Sequence, residues 1–252
     1  MLNDFFEGFT TYGAAIKHIE KHGLWGFVFL PGLLCVLVGI GVFGLAWNLS
    51  DNVGSMLDNL WVWDWGSNVV AKVAQVFGGL LVFLIGLIIF KQLVMVVSAP
   101  IMSILSEKVE NQLVGRTNSV GFSAKQIVSD ILRGLRIALR NIFRELGATL
   151  FLLILGLIPV FTPFTTVLIF ILQAYYAGFS NLDFVLERHY RFRESVQFVQ
   201  SNKMLAIGNG AVFMLLLFTF IGFLFALPLG TVAATMAATK RINGKFYQDS
   251  TQ

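Results

Sequence analysis

An uncharged run from Gly147 to Ala174, broken in its middle by Pro159 and Pro163, most constrains what this chain can fold into. Each arm has about a dozen residues, and at a rise of about 1.5 Å per residue it falls well short of the ~30 Å hydrocarbon core of a bilayer. Arginines flank the run on both sides, and cationic loops prefer the cytoplasmic side. The run therefore predicts a re-entrant helical hairpin, residues 147–179, that turns at the two prolines and returns to the side it left.

The composition is that of an integral membrane protein. The chain is 56% hydrophobic and 13% charged, whereas soluble domains have about 25% charged residues. Its cations lie almost entirely before Gly23 or after Lys91, and its acidic residues dominate the segment 51–72. This asymmetry indicates membrane orientation and not nucleic-acid binding. We expect a multi-pass protein of the plasma membrane with cytoplasmic amino and carboxyl termini and an external loop at 51–72.

The apolar segments together predict one membrane domain of the all-α class, residues 1–252, with two long transmembrane helices, two re-entrant hairpins and amphipathic interfacial helices. In chain order we expect an interfacial helix at 1–22, transmembrane helices at 24–50 and 73–106, a basic amphipathic helix at 121–146, hairpin 1 at 147–179, a polar connector at 180–203 and hairpin 2 at 204–239. The predicted hairpin tips contain Pro159 and Pro163, and then Gly222 and Pro228.

Hairpin 2 follows from length and charge in the same way as hairpin 1. Lys203 precedes the nearly charge-free segment 204–239, and Lys240 and Arg241 follow it. Arms of roughly fifteen residues are marginal for a crossing. Met204–Leu227 could instead span as one helix, but basic residues at both ends favour a return to the same side.

The basic helix at 121–146 carries a stripe of arginines that includes Arg133, Arg136 and Arg140, and Arg188 follows hairpin 1. Two interpretations stay open. The stripe contacts anionic lipid headgroups, each contact contributing up to about 1 kcal/mol. Alternatively, these arginines line a vestibule that attracts anions by focusing the electrostatic field.

Lys91 is the one charge in the second long apolar stretch, near the inner end of the predicted helix 73–106. Its side chain either snorkels to the interface or lines a pathway. No acidic residue lies in the apolar runs to act as a proton relay, which favours an anion route that runs downhill.

The sequence has no sign of an enzyme. It has no Gly-x-Ser-x-Gly motif, no phosphate-binding loop and no cysteine pair. His18 and His22 are four residues apart, but the carboxylate that would complete a zinc site is missing, and two interfacial histidines are the simpler interpretation. We therefore expect no cofactor and no metal.

Several short motifs resemble the CysZ-type sulfate permeases and the wider etoposide-induced-protein family. They cover nearly the whole chain, and their order and spacing carry the resemblance: Pro100-Ile101-Met102-Ser103, Leu105-Ser106-Glu107-Lys108-Val109-Glu110, Tyr176-Ala177-Gly178, Asp183, Arg188-His189 and Phe192-Arg193. The resemblance implies two long spanning helices with two partly penetrating hairpins, sulfate uptake across the bacterial inner membrane that supplies cysteine synthesis, and a homo-oligomer.

The resemblance also implies a substrate site after the first helix, where similar proteins carry Gly-Leu-Arg. Here the matching residues are Gly23 and Leu24, followed by Trp25. An indole offers one N–H and no charge, whereas a guanidinium offers bidentate donors to an oxyanion. Three alternatives remain: Lys21 or His22 substitutes nearby, backbone amides bind the anion alone, or this chain does not carry sulfate.

Two functions are consistent with these observations. One is a membrane permease for sulfate or a related small oxyanion. The other is a non-transporting scaffold, lipid-binding or envelope-assembly protein of the same family, whose arginines contact membrane lipids.

Overall fold

The computed structural model describes residues 2–60, 67–116, 124–219 and 222–249. Within these ranges every regular element is an α-helix, which confirms the predicted all-α class. The helices are α1 Leu2–His22, α2 Trp25–Leu60, α3 Ser67–Val114, α4 Ala124–Gly156, α5 Thr162–Leu186, α6 Phe192–Ser201, α7 Lys203–Leu217 and α8 Gly222–Asp249. Parts of the predicted external loop (61–66), the basic helix (121–123) and the second tip (220–221) lie outside the described residues.

Three described helical segments are long and apolar enough to cross a bilayer: Trp25–Val42, Gly86–Val114 and Thr162–Leu186. The first lies in the predicted transmembrane helix 24–50, and the second overlaps the predicted helix 73–106 and continues to Val114. The third is the second arm of hairpin 1, which has 25 residues and a rise of about 37 Å. The expectation that this arm is too short to span was therefore wrong. The helix continues beyond the uncharged run because its polar residues, such as Ser180 and Asp183, are buried against other helices.

The two helices of hairpin 1 are joined by a turn at residues 157–161, which contains Pro159. Pro163 lies in the first turn of α5, where a missing N–H costs no helical hydrogen bond. The Thr162 hydroxyl donates to the Gly156 carbonyl at 2.8 Å and satisfies an acceptor at the end of α4. The predicted basic helix and the first arm are one continuous helix, α4, because no residue between them breaks the hydrogen-bond ladder.

The second turn, between α7 and α8, places its two predicted tip residues differently. Gly222 begins α8, and its N–H donates to the Thr219 hydroxyl at 3.1 Å. Pro228 lies inside α8 and is buried, so it is not a tip residue. Because a proline lacks the N–H that would pair with residue 224, the Leu224 carbonyl is left for other contacts. Gly32 of α2 packs against that carbonyl, and a Cβ atom at Gly32 would lie 3.0 Å from it.

Backbone-to-backbone packing of α5 and α7 forms the centre of the bundle. A Cβ atom on Gly178 would lie 1.9 Å from the Ala206 carbonyl oxygen, and one on Gly210 would lie 1.7 Å from the Ala174 oxygen. Only glycine fits at both positions. Small residues of this kind allow helices in a membrane to approach closely, where van der Waals contact drives their association.

Helix α1 packs against this centre through one face. Tyr12 and Ile19 are buried in the protein, whereas Phe6 and Phe9 are exposed on the opposite face. Near the start of α1, acidic residues pair with Arg241 of α8; one of them is Asp4, at 2.7 Å. The first and last helices therefore meet at one end of the molecule.

Candidate functional site

The predicted substrate site at the junction of α1 and α2 is a helix-terminating turn. Gly23 has a φ of 63°, the left-handed conformation that commonly ends a helix. Its N–H donates to the Glu20 carbonyl at 3.3 Å, and the Leu24 N–H donates to the Ile19 carbonyl at 3.0 Å. Both amides are thus engaged in ending α1, and the Leu24 side chain is buried.

The other two residues of that prediction are more accessible. Trp25 is 41% exposed, and its ring centroid lies 6.0 Å from that of Phe29. His22 is exposed, its Nδ1 lies 3.0 Å from the His18 carbonyl oxygen, and the two imidazole rings are 4.2 Å apart. Among the described residues, no cluster of three or more histidine, cysteine or carboxylate side chains could hold a metal ion.

The four arginines predicted to attract anions lie in different surroundings. Arg133 forms a bidentate pair with Asp183, at 3.0 Å and 3.2 Å, and Arg188 pairs with Glu110 at 2.8 Å. The charges of these two arginines are therefore compensated. Arg136 and Arg140 instead stack on aromatic rings, with Arg136 4.8 Å from the ring centroid of Phe192.

Lys91 does not snorkel. Its Nζ lies 2.5 Å from Glu145 Oε1, and neither side chain is exposed to solvent. Gln173 Oε1 accepts a second hydrogen bond from Lys91 at 3.3 Å, and Gln92 Nε2 lies 3.4 Å from the other oxygen of Glu145. A buried acidic residue therefore does exist. The sequence argument missed it because Glu145 lies just before the apolar run, next to Arg144.

Buried polar side chains continue from this pair along the interface of α3, α4 and α5. Together with the half-buried Arg133, they form what we call the polar strip: Lys91, Gln92, Arg133, Asn141, Glu145, Gln173, Ser180 and Asp183. On α4 and on α5 the members recur at spacings that keep them on one helix face. The Asn141 amide lies 3.5 Å from the Ser180 hydroxyl, and Asn141 lies between Arg133 and Glu145 along α4. From Glu145 to Arg133 the strip extends about 18 Å along α4.

The strip is closed in this conformation. A cavity of about 20 Å³ lies beside it, lined by Gln92, Ser180 and Asp183 together with apolar residues of α3 and α4. That volume has room for about one water molecule and none for an oxyanion. The Nε2 atom of Gln173 and the Ser98 hydroxyl are buried without a hydrogen-bond partner in the part of the chain that the structure describes.

A second polar cluster lies at the carboxyl end of α5. Glu110 accepts hydrogen bonds from Arg188 at 2.8 Å and 2.9 Å, and its other oxygen lies 2.5 Å from His189 Nε2. Arg188 also donates to the Ser106 hydroxyl, which lies 2.8 Å from the Thr235 hydroxyl. Five polar residues of the motifs that suggested the family belong to this cluster or to the Arg133–Asp183 pair: Ser106, Glu110, Asp183, Arg188 and His189.

The chain matches the family described as Sulfate transporter CysZ/Etoposide-induced protein 2.4 over residues 12–228. Two curated relatives, each named "Sulfate transporter CysZ", come from Pseudomonas aeruginosa strains LESB58 and PAO1. Each is 28% identical over 226 residues, which cover 89% of this chain and 91% of the relative. The matched range contains the polar strip and most of the second cluster. The chain therefore belongs to the Sulfate transporter CysZ/Etoposide-induced protein 2.4 family.

Proposed function

We propose that this protein is a membrane permease for sulfate or a related small oxyanion, with a role in bacterial sulfur assimilation. The family and the names of two relatives supply the substrate class. The structural observation that supports it is the polar strip, which lies between α4 and two helices, α3 and α5, that contain segments apolar enough to span a bilayer. Ionisable groups are costly in such a setting, and those present typically face a pathway inside the bundle.

The Lys91–Glu145 pair is the proposed gate of this pathway. An ammonium group attracts an oxyanion, but here Glu145 occupies it. A sulfate ion that reaches the pair would compete with Glu145 for Lys91 Nζ, while Gln92 and Gln173 offer further hydrogen-bonding groups. Opening also requires α4 to separate from α3 and α5, because the cavity beside the strip is smaller than the ion.

The proposed entry site remains the junction of α1 and α2, with Gly23, Leu24, Trp25 and His22. Since the Gly23 and Leu24 amides already have acceptors, we assign the attraction of the anion there to Lys21 and His22. Both side chains are exposed.

The proposed topology is that of the sequence analysis, with cytoplasmic termini, an external segment 51–72 and two hairpins that return to the cytoplasmic side. Two features support it. The turn of hairpin 1 is apolar and exposed, with Val160 72% and Phe164 67% exposed, which suits contact with lipid. The pairing of Arg241 with Asp4 keeps both ends of the chain together. The homo-oligomer that the resemblance implied is retained as part of this proposal.

Uptake of radiolabelled sulfate into liposomes that contain the purified protein tests the proposal. We expect uptake above that of empty liposomes, reduced by excess unlabelled sulfate. A panel of unlabelled oxyanions, including thiosulfate and phosphate, then identifies the preferred substrate. Lys240→Gln is the control for variants of the polar strip. Lys240 is exposed and distant in sequence from the strip, so its replacement should leave uptake unchanged. Uptake no greater than in empty liposomes contradicts the proposal.

The alternative is a non-transporting, lipid-binding or scaffold protein. The exposure of many large apolar side chains on α2, α4 and α5 favours lipid contact. Charge reversal of Arg136 and Arg140 separates the two functions, whereas reversal of Arg133 would also break its pair with Asp183. A lipid role predicts a change in co-purified lipid with unchanged sulfate uptake.

A further inference from the structure

We propose that the groove between α4, α5 and α7 binds one anionic phospholipid, with its phosphate at the end formed by Arg140, Arg144 and Lys203. The groove has a volume of about 510 Å³. Pockets of roughly 300–1,000 Å³ accommodate molecules much larger than an inorganic oxyanion. None of the residues that line the groove belongs to the polar strip, which the site touches only through the hydrogen bond from Arg140 to Asn141, and the site does not depend on transport.

The charged end of the groove has three cations and no acidic lining residue among those described. Arg144 and Lys203 are exposed and have no hydrogen-bond or ion-pair partner in the described parts of the chain. Arg140 donates to the Asn141 side chain at 3.0 Å. Burial, together with the charge of Arg144, lowers the pKa of Arg140, and no described lining residue supplies a negative charge to this end. A phosphate would supply the negative charge that this end lacks. Each cation near the membrane surface strengthens the binding of an anionic lipid about five- to sixfold.

The far end of the groove is aliphatic. It is lined by Leu152 on α4 and by Leu168 and Ile171 on α5. Along α4, Leu152 lies about 18 Å from Arg140 in the direction of the hairpin turn. A small inorganic anion makes no favourable contact with the aliphatic end of the groove. A phospholipid has the same arrangement as the groove, with a negative headgroup at one end and hydrocarbon at the other.

The surroundings of the groove indicate how the rest of the lipid would be accommodated. Tyr175 and Gln200 lie near the charged end and offer a hydroxyl and an amide to a polar headgroup. Beyond the aliphatic end, exposed Leu157 and Val160 belong to the apolar turn of hairpin 1. An acyl chain that leaves the groove at this end therefore continues along an apolar surface.

Native mass spectrometry of the full-length protein in detergent, with added dioleoylphosphatidylglycerol or dioleoylphosphatidylcholine, tests this site. We expect one phosphatidylglycerol to be retained and phosphatidylcholine to be lost. The double variant Arg144→Gln, Lys203→Gln should lower the affinity for phosphatidylglycerol by about thirtyfold, the product of two such contacts. Lys17→Gln, Arg116→Gln removes equal charge at two exposed positions outside the groove and should retain the lipid. Equal retention by both double variants overturns the proposal.

Two further experiments identify the occupant of the groove. Leu168→Ser should weaken retention of phosphatidylglycerol, and equimolar sulfate or glycerol 3-phosphate should not displace the lipid. Displacement by either small anion assigns the groove to a water-soluble ion and overturns the lipid assignment. A two-chain mass without lipid, lost in the Arg144→Gln, Lys203→Gln variant, assigns the groove to a second copy and also overturns it. Unchanged circular dichroism verifies that each variant folds.

Discussion

Lys91 Nζ lies 2.5 Å from Glu145 Oε1, and both side chains are completely buried between α3 and α4. Burial of two ions among apolar helices carries a large desolvation penalty, which their attraction and the added hydrogen bonds from Gln92 and to Gln173 offset. The pair is therefore more sensitive to the loss of one partner than to the loss of both.

That asymmetry gives a first prediction. Lys91→Met leaves Glu145 buried without its cation and should destabilise the protein by about 3–5 kcal/mol. The charge-free variant Lys91→Met, Glu145→Gln keeps an acceptor for Gln92 and should recover most of the loss. Thermal unfolding of the detergent-solubilised variants measures both. A single variant as stable as the wild type would show that the pair is not buried.

A second prediction concerns the Arg133–Asp183 pair. Arg133→Gln removes the bidentate partner of a buried carboxylate and should cost about 3–5 kcal/mol. Arg136→Gln, one turn further along α4, removes only a stacking contact with Phe192 and should cost less than about 1 kcal/mol. The midpoints of thermal unfolding distinguish these outcomes. Similar losses for both variants would contradict the assignment of different roles to the two arginines.

A third prediction follows from the contact between α5 and α7. In Gly210→Ala the new Cβ atom meets the Ala174 carbonyl, and the helices must separate at a cost of about 1–3 kcal/mol. Gly13→Ala is the control, because nothing lies within 4 Å of its Cβ position and alanine favours a helix. Gly13→Ala should leave the unfolding temperature unchanged or raise it. An unchanged temperature for Gly210→Ala would be inconsistent with backbone contact there.

The fourth prediction is a pH dependence at His18. Burial lowers the pKa of His18, a hydrogen bond with Gln112 partly restores it, and the charges of His22 and Lys21 lower it further. The unfolded chain thus binds the proton more tightly than the folded protein. His18 stabilises the fold above the unfolded pKa of about 6.5, and this stability is lost as the pH falls through the lower folded pKa.

Unfolding temperatures measured across this range for the wild type and for His18→Gln test that prediction. The wild type should lose stability more steeply on acidification than the variant. Parallel pH profiles for the wild type and His18→Gln would contradict a folded state that favours neutral His18.

The helical class and the regions of α2 and α3 that could cross a membrane were predictable from hydropathy, because long apolar runs have few other stable forms. The length of α5 was not predictable from hydropathy. Its uncharged run ends at Ala174, and hydropathy alone does not show that Ser180 and Asp183 continue the helix under cover of α3 and α4. Pro228 was predicted to lie at a hairpin tip, whereas here it lies inside α8, and α2 packs against the carbonyl that the proline leaves free.

The candidate site was also only partly predictable from the sequence. The resemblance singled out Glu110, Asp183 and Arg188, all of which have ion-pair partners. It did not include Lys91 or Glu145, whose partnership joins positions 54 residues apart along the chain. A charge within an apolar run is the signal that could have identified Lys91 as paired, and the acidic residue just before the next apolar run was its available partner.

Sulfate uptake by the charge-free variant Lys91→Met, Glu145→Gln in liposomes tests the central claim most directly, because this variant is expected to fold. If sulfate must displace Glu145 and bind Lys91 on its way through the strip, the variant has no ammonium to hold the anion, and uptake should fall to the level of empty liposomes while the unfolding temperature stays close to that of the wild type. Wild-type uptake by the folded variant would contradict a transport route through the polar strip.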